Sequence, residues 1–347
     1  MNAVRTGFDR FTGWVTGAKH AGYSLSALRI LYGIAIVSFL LTSLADRHYL
    51  WGVASRWVDP EARRRAWFPL FEVVFTKDSA FLFDLAYGAL IVLGVLFLIG
   101  WQTRFVTPVL LVFWVGLATN STVLTNGGDT ILRITLLFLV FANLSRHWSV
   151  DAWLARRRGR EPRPLLRGRL AIPEWLGNAA NNTAVLLCGY QIMLVYVNSG
   201  IYKLMGPEWR EGTAFYYSLV LDVFRPFPAL SDLAWQIAPF VWVATFLSVW
   251  VQLLFPVLVL WRPTRIVALG FTILMHLGIG LFLGLWPFSL AMIALDLLFV
   301  RDRTWVATGR WATHAGGVLR QLLPDRSASV GREAAERPVT TAAGSPS

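Results

Sequence analysis

The sequence predicts an all-α integral membrane protein, a polytopic helical bundle of about eight transmembrane spans with interfacial helices in its outer loops. Its 347 residues are 56% hydrophobic and 15% charged, against roughly 45–50% and about 25% in soluble globular domains. The 17 tryptophans and 23 phenylalanines suit the aromatic belts of a bilayer interface. This composition excludes an ordinary soluble protein and a mainly disordered chain.

Apolar segments recur along the chain, each close to the roughly 20 residues that cross a bilayer. The eight segments lie at residues 27–45, 80–100, 106–124, 130–144, 183–204, 235–261, 266–285 and 287–300. Residues 1–24 have no apolar stretch beside a small-residue cleavage site, so we interpret them as a cytosolic leader. The predicted membrane domain covers residues 25–303. Residues 304–347 are predicted to form a cytosolic tail, largely disordered from about residue 325.

Basic residues are unevenly distributed between the two sides of this arrangement. Of the 32 lysines and arginines, 21 fall on the side that holds both termini and 9 on the other. The positive-inside rule therefore predicts that both termini lie in the cytosol. We expect a multi-pass protein of a bacterial plasma membrane. Because loop charge accounts for the net charge of +12, we expect the lipid bilayer as partner and no nucleic acid.

Two outer loops carry helix signals. Asp59, Pro60 and Glu61 have the character of an N-cap, a first helical residue and a first-turn acid. They predict a short interfacial helix over residues 59–70. An aromatic-rich stretch over residues 206–224 predicts a second interfacial or re-entrant helix.

Ionisable residues inside the apolar segments are costly, and each needs an explanation. Asp129 and Arg133 are four residues apart and predict an ion pair on one helix face. Arg29 lies near the cytosolic end of its segment and is expected to snorkel to the headgroups. Asp84 and Asp296 lie nearer segment ends, where a solvated or capping role is expected.

Segment 183–204 carries the densest polar set. At 100° per residue its members divide between two faces, with Tyr196, Ser199 and Lys203 on one and Gln191, Asn198 and Tyr202 on the other. Either face could line a cavity. Lys203 either snorkels to water or has a functional role. His276, in the middle of segment 266–285, is either a hydrogen-bonded packing residue or a catalytic one.

Two pairs of motifs resemble one family. Residues 125–129 (TNGGD) are followed after one segment by residues 147–151 (HWSVD), and residues 199–204 (SGIYKL) are followed closely by residues 209–212 (WREG). The combination resembles the HTTM family, the membrane domain shared with vitamin K-dependent γ-carboxylase. The resemblance extends over about residues 29–300, and His276 fits the family's late spans.

The resemblance implies a quinol-linked enzyme of the carboxylase or oxidase type, in the carbon–carbon lyase class, acting at the outer membrane face. Lys203 matches the lysine that deprotonates vitamin K hydroquinone. Oxygen then turns the quinol into a strong base, a γ-proton leaves a glutamate, and CO2 adds. His276 would stabilise an oxyanion. Vitamin K or menaquinol is the implied cofactor, with candidate contacts at Tyr196, Asn198, Tyr202 and Trp209.

The chain also departs from the carboxylase. No histidine occurs in residues 126–129, Gln252 stands where relatives often carry an acid, and only 47 residues follow residue 300. Two other functions therefore remain open, a non-enzymatic membrane factor for maturation or export of a secreted peptide, and a transporter. The absence of an internal repeat weighs against an inverted-repeat transporter. One cysteine and five scattered histidines predict no metal site. A small molecule or a peptide is the expected substrate.

Overall fold

A computed structural model describes residues 2–55, 75–76, 78–159 and 173–322 of the chain. The predicted helix at residues 59–70 and the predicted disorder from residue 325 lie outside the described residues. Within them all regular structure is helical. The α-helices are α1 Asn2–Gly17, α2 Gly22–Thr42, α3 Arg47–Leu50, α4 Ala80–Ile99, α5 Thr103–Thr119, α6 Gly127–Leu139, α7 Val150–Arg157, α8 Glu174–Met205, α9 Pro207–Glu211, α10 Ala214–Val220, α11 Pro228–Gln236, α12 Ala238–Leu258, α13 Arg262–Leu283, α14 Trp286–Asp296 and α15 Asp302–Leu322.

Several of these helices suit a bilayer. Among the described residues, α2, α4, α8, α12 and α13 are long and apolar enough to cross a membrane. Two shorter apolar helices accompany them, α5 and α14 with the 3-10 turn that follows it. The fold is therefore an all-helical, multi-pass membrane bundle. The count of eight spans stays a prediction.

Local sequence signals fix where many helices begin. At the start of α6, Oδ1 of Asn126 accepts the backbone N–H of Asp129 at 3.0 Å. At the start of α7, Oγ of Ser149 accepts the backbone N–H of Ala152 at 3.0 Å. Such caps satisfy donors that a helix leaves unpaired at its first turn. Proline stands in the first turn of α9, α11, α12, α13 and α14, where it has no hydrogen bond to lose.

Helix α2 lies at the centre of the bundle, between α4 and α14. Its fully buried apolar side chains recur every three or four residues, at Leu25, Leu28, Tyr32, Ile36 and Leu40. This spacing gives one continuous apolar stripe. Helix α14 is short, yet every residue from Ala291 to Asp296 is buried. It packs against α2, α13 and α6.

The N-terminal helix α1 is bound to the start of α8 mainly through Asn182. The Asn182 amide nitrogen donates to the carbonyl oxygens of Trp14, Val15 and Ala18 at 3.2, 2.9 and 2.7 Å. Its Oδ1 accepts the backbone N–H of His20 at 3.0 Å. These carbonyls lie at the C-terminal end of α1, where helical partners are missing. The predicted leader is therefore a helix docked on the bundle.

Arg29 is fully buried, so the expectation that it snorkels to the headgroups is wrong. Its Nε donates to the carbonyl of Leu144 at 3.1 Å, and its Nη2 to that of Trp148 at 2.6 Å. Nη1 donates to the carbonyls of Phe97, at 3.0 Å, and Leu98. The guanidinium has five donors and no acceptor. It satisfies the open carbonyls at the end of α4 together with those of the loop before α7.

Two aspartates in the first halves of their helices form ion pairs with nearby basic residues. The predicted ion pair in α6 is confirmed, with Arg133 Nε 3.0 Å from Asp129 Oδ2. Asp84 lies in the first half of α4 and is partly exposed. Its Oδ1 is 2.6 Å from Arg47 Nε and 3.1 Å from His48 Nε2. Asp84 therefore fastens α4 to the short α3.

The outer segment predicted as one helix over residues 206–224 is divided. It contains α9, α10 and a 3-10 turn, and Gly212 separates α9 from α10 with φ +81°. A Cβ at Gly212 would lie 2.6 Å from Cδ1 of Trp242 and 2.7 Å from Cε2 of Phe246. Close packing on α12 therefore requires a glycine at this break.

The structure falls into two compact units, the first ending at Asp302 and the second beginning at Arg303. In the first, Asp302 accepts the backbone N–H groups of Gly22 and Tyr23 at 3.3 and 3.2 Å. This carboxylate caps the start of α2. In the second, the described residues continue helix α15 to Leu322.

Candidate functional site

Three polar side chains meet in the bundle core. Oη of Tyr196 lies 3.0 Å from Nε2 of His276, and 3.0 and 2.9 Å from the two carboxylate oxygens of Asp296. The three residues come from α8, α13 and α14. All are buried, with His276 only 1% exposed. An ionisable cluster of this kind inside a membrane bundle marks a functional-site candidate.

Asp296 was expected to be solvated or to cap a helix, and that expectation is wrong. It ends α14 but is fully buried, because α14 lies inside the bundle rather than at its edge. A buried carboxylate needs hydrogen-bond partners, and Tyr196 supplies one. The sequence holds a signal that could have indicated this, since Asp296 stands within a continuous apolar stretch over residues 287–300.

The imidazole of His276 is enclosed by aromatic rings. The ring of Tyr196 lies nearly parallel to it, with an interplanar angle of 14° and centroids 6.0 Å apart. The ring of Phe288 meets it edge-on at 5.7 Å. Within the described part of the chain, the buried Nδ1 of His276 has no hydrogen-bond partner. Nearly all buried polar groups have one, so this nitrogen needs a partner that the described residues do not provide.

Lys203 lies seven residues after Tyr196 on the same face of α8. It is half-buried, and its Nζ donates to Oε1 of Gln252 at 2.8 Å. The Nζ also lies 4.6 Å from the centroid of the Trp209 ring, a cation–π distance. Nε2 of Gln252 in turn contacts Sδ of Met275 at 3.8 Å. These contacts connect Lys203 to the residue that precedes His276.

In the part of the chain that the structure describes, the amine of Lys203 has no acidic partner. Among the described residues, no carboxylate lies within salt-bridge distance of it. Gln252, which stands where relatives often have an acid, offers a neutral carbonyl oxygen instead. The lysine is therefore hydrogen-bonded without being neutralised.

The other candidate cofactor contacts divide between the inside and the outside of the bundle. Tyr196 is in the core and Trp209 packs on Lys203. Asn198 and Tyr202 are exposed on another face of α8, Tyr202 to 73%. The structure therefore brings Tyr196, Lys203, Trp209 and His276 to one side of α8, and places Asn198 and Tyr202 elsewhere.

A cavity of about 340 Å³ opens beside this region. It lies between the last turns of α2 and α5, the start of α6 and the loop before α14, and none of its lining residues belongs to α8 or α12. A face of segment 183–204 was expected to line a cavity, so this cavity lies away from the expected place. Phe288 lines it and also contacts His276. One aromatic ring thus connects the cavity with the buried cluster.

The cavity wall is mostly aromatic and aliphatic, with a few polar groups. Asp129 lines it, accepting a hydrogen bond from Trp114 Nε1 at 2.7 Å. Ser121 also lines it, and its fully buried Oγ has no hydrogen-bond partner among the described residues. The volume and the small number of polar groups are typical of a site for a small organic molecule.

The described part of the chain contains no set of side chains arranged to bind a metal ion. No group of three or more histidine, cysteine or acidic side chains is placed there to hold a metal ion. The single cysteine, Cys188, is buried. The chemical capacity of the region therefore lies in hydrogen bonding and proton transfer by Lys203, His276, Tyr196 and Asp296.

The fold and these clusters define a multi-pass helical membrane protein with ionisable groups buried between its helices. Comparison with protein-family models matches residues 19–305 to the HTTM domain. The chain therefore belongs to the HTTM domain family, as its motifs predict. The comparisons with curated proteins and with solved structures give no match.

Proposed function

We propose that this chain is a quinol-dependent enzyme of the carboxylase type, in the carbon–carbon lyase class, that acts on a small molecule or a peptide. The observation that carries the proposal is the environment of Lys203. Its amine is half-buried, hydrogen-bonded to the neutral Gln252, and without a carboxylate partner among the described residues. A lysine that only snorkelled to water would not need this contact inside the bundle.

The role assigned to Lys203 is that of a base. Lysine can give up its proton in a buried site, whereas arginine stays charged. A neutral amine can then accept the proton of a quinol hydroxyl. The oxygen of Gln252 orients the amine, and the Trp209 ring closes one side of it.

The residues present suit a quinol ring. The aromatic walls of the cavity, its size and the Ser121 hydroxyl, which has no partner among the described residues, are suited to a flat molecule with hydroxyl or carbonyl groups. Lys203 does not line this cavity, so deprotonation by Lys203 requires that the bound ring extends beyond the cavity to the amine. When bound, vitamin K hydroquinone or menaquinol would supply the reducing equivalents for the reaction with oxygen. Phe288 lines this cavity, and its ring contacts that of His276. Asn198 and Tyr202 could contact only a part of the cofactor outside the bundle.

The proposal includes an orientation. With eight spans, alternating from a cytosolic N-terminus, the end of α2 and the end of α8 lie on the same side. Lys203 and the cavity then face the outer leaflet of a bacterial plasma membrane. A substrate could reach them without crossing the bilayer.

The test is to measure quinone in the purified protein. Membranes that express the chain are solubilised, the protein is purified, and its lipid extract is assayed for isoprenoid quinones. We expect close to one quinone per chain, and a much lower value for an unrelated multi-pass protein purified in the same way. Equal quinone in both preparations would contradict the proposal and favour a non-enzymatic maturation factor or a transporter.

A further inference from the structure

The contacts of Tyr196 allow a proton count. Its hydroxyl has one hydrogen, yet it lies within 3.0 Å of both oxygens of Asp296 and of Nε2 of His276. In its ionised state Asp296 can only accept hydrogen bonds. In that state the Tyr196 hydrogen goes to Asp296, and the contact with His276 uses a lone pair of the tyrosine oxygen.

The same count fixes the tautomer of His276. If the tyrosine oxygen accepts, Nε2 must carry the hydrogen. In a neutral imidazole only one nitrogen is protonated, so Nδ1 is left as a bare acceptor. Nδ1 is also the buried atom without a partner in the described structure. The unpaired Nδ1 of His276 is thus a hydrogen-bond acceptor that has no donor among the described residues.

We propose that His276 accepts a proton at Nδ1 from a hydroxyl of the bound substrate or cofactor, and that Tyr196 and Asp296 are positioning residues for it. The O–H bond breaks and an Nδ1–H bond forms, which leaves an imidazolium and an oxyanion. The negative charge of Asp296 offsets the imidazolium through Tyr196. A carboxylate that orients a histidine and stabilises its cation is an arrangement that general-base catalysis uses.

This assignment changes the role that the resemblance implied. A His276 that stabilised an oxyanion from the outset would need a hydrogen on Nδ1. With Asp296 ionised, the contacts of Tyr196 place it on Nε2 instead, so donation to an oxyanion can follow only after proton transfer. The proposal rests on the proposed function for the identity of the proton donor, and on the three side chains alone for the tautomer.

The test is nitrogen-15 NMR of the full chain in lipid nanodiscs with labelled histidine. The chemical shifts of the two ring nitrogens distinguish the tautomers. We expect His276 to show a protonated Nε2 and an unprotonated Nδ1 without any quinol. A protonated Nδ1 would overturn the proposal. The His276 signals are assigned as the ones that disappear from the spectrum of His276→Gln. If that variant does not fold, the other histidines are replaced one at a time, and the signals that remain in every spectrum belong to His276. The other histidines are His20, His48, His147 and His314.

A matched pair of variants tests the positioning role. Tyr196→Phe removes the hydroxyl that receives Nε2–H, so the tautomer ratio of His276 should shift measurably toward Nδ1–H. Tyr190→Phe, on the same helix but 60% exposed, should leave the ratio unchanged. An unchanged ratio in Tyr196→Phe would refute the role of Tyr196.

The outcomes also separate the two proposals. If His276 has the expected tautomer but the protein binds no quinone, the proposed function is refuted and the assignment of His276 Nδ1 as proton acceptor still stands. If the protein consumes quinol but Nδ1 is protonated, that assignment is refuted and the proposed function still stands.

Discussion

Single side chains decide how charge is accommodated inside this bundle. Arg29 and Asp296 both lie near the ends of apolar segments, and position along the chain suggested that each reaches water. Both are fully buried. Their partners come from residues 68 to 119 positions away for Arg29 and 100 positions away for Asp296. Such distant contacts cannot be read from one segment, whereas the pairing of Asp129 with Arg133, four residues apart, could be predicted.

Replacing Arg29 should destabilise the whole bundle. Arg29→Leu removes the donors that Arg29 provides to carbonyls in the last turn of α4 and in the loop before α7, at about 1–3 kcal/mol for each buried group left unpaired. We expect a clearly lower midpoint of thermal unfolding in detergent, measured by the loss of helical circular dichroism. Arg104→Leu, at an exposed position in α5, is the control and should change the midpoint little. Equal effects of the two substitutions would show that the carbonyl contacts contribute nothing.

Hydropathy located the apolar part of each helix but not the polar turns that extend it. Segment 183–204 was predicted from its apolar residues, while α8 begins at Glu174 and runs for 32 residues. The added turns contain Asn178, Asn181 and Asn182, whose amides bind α1 and the loop after it. Apolar periodicity carries no information about such amide contacts. Segment 235–261, conversely, is divided between α11 and α12.

The attachment of α1 to α8 should depend mainly on Asn182. This residue makes four hydrogen bonds to residues 14–20, whereas Asn178 makes one, to the carbonyl of Thr16 at 3.0 Å. Asn182→Ala should therefore release α1 and make it several-fold more sensitive to limited proteolysis of the detergent-solubilised protein. Asn178→Ala is the matched control and should have a much smaller effect. The account of α1 docking is wrong if both variants are cleaved at the wild-type rate.

At the scale of the whole molecule, composition and motif spacing predicted the fold class and the family. They could not predict which buried groups meet, because Tyr196 is 80 positions from His276 and 100 positions from Asp296. Tyr196, Lys203 and His276 were singled out from the sequence, whereas the contribution of Asp296 and the place of the cavity required the structure. Ser121, an ordinary residue in the sequence, becomes notable only as an unpartnered group in the cavity wall.

The proposed orientation predicts the location of two loops. A reporter enzyme that is active only outside the cytosol, fused after Gly159, should be inactive, because the loop between α7 and α8 is cytosolic in an eight-span arrangement. The same reporter fused after Pro228 should be active. Identical activity of the two fusions would contradict the eight-span arrangement.

The most direct test of the central claim is quinol consumption by the Lys203→Arg variant. Wild-type protein and the variant are reconstituted in nanodiscs with reduced menaquinone, and oxygen-dependent loss of the quinol is followed by absorbance. A positioned general base contributes about 10²- to 10⁴-fold, so turnover should fall by that factor in Lys203→Arg, with helical content unchanged. Lys19→Arg, at an exposed position outside the bundle core, should keep the wild-type rate. Full turnover by Lys203→Arg would show that a permanently charged side chain suffices, and Lys203 would then not be the base.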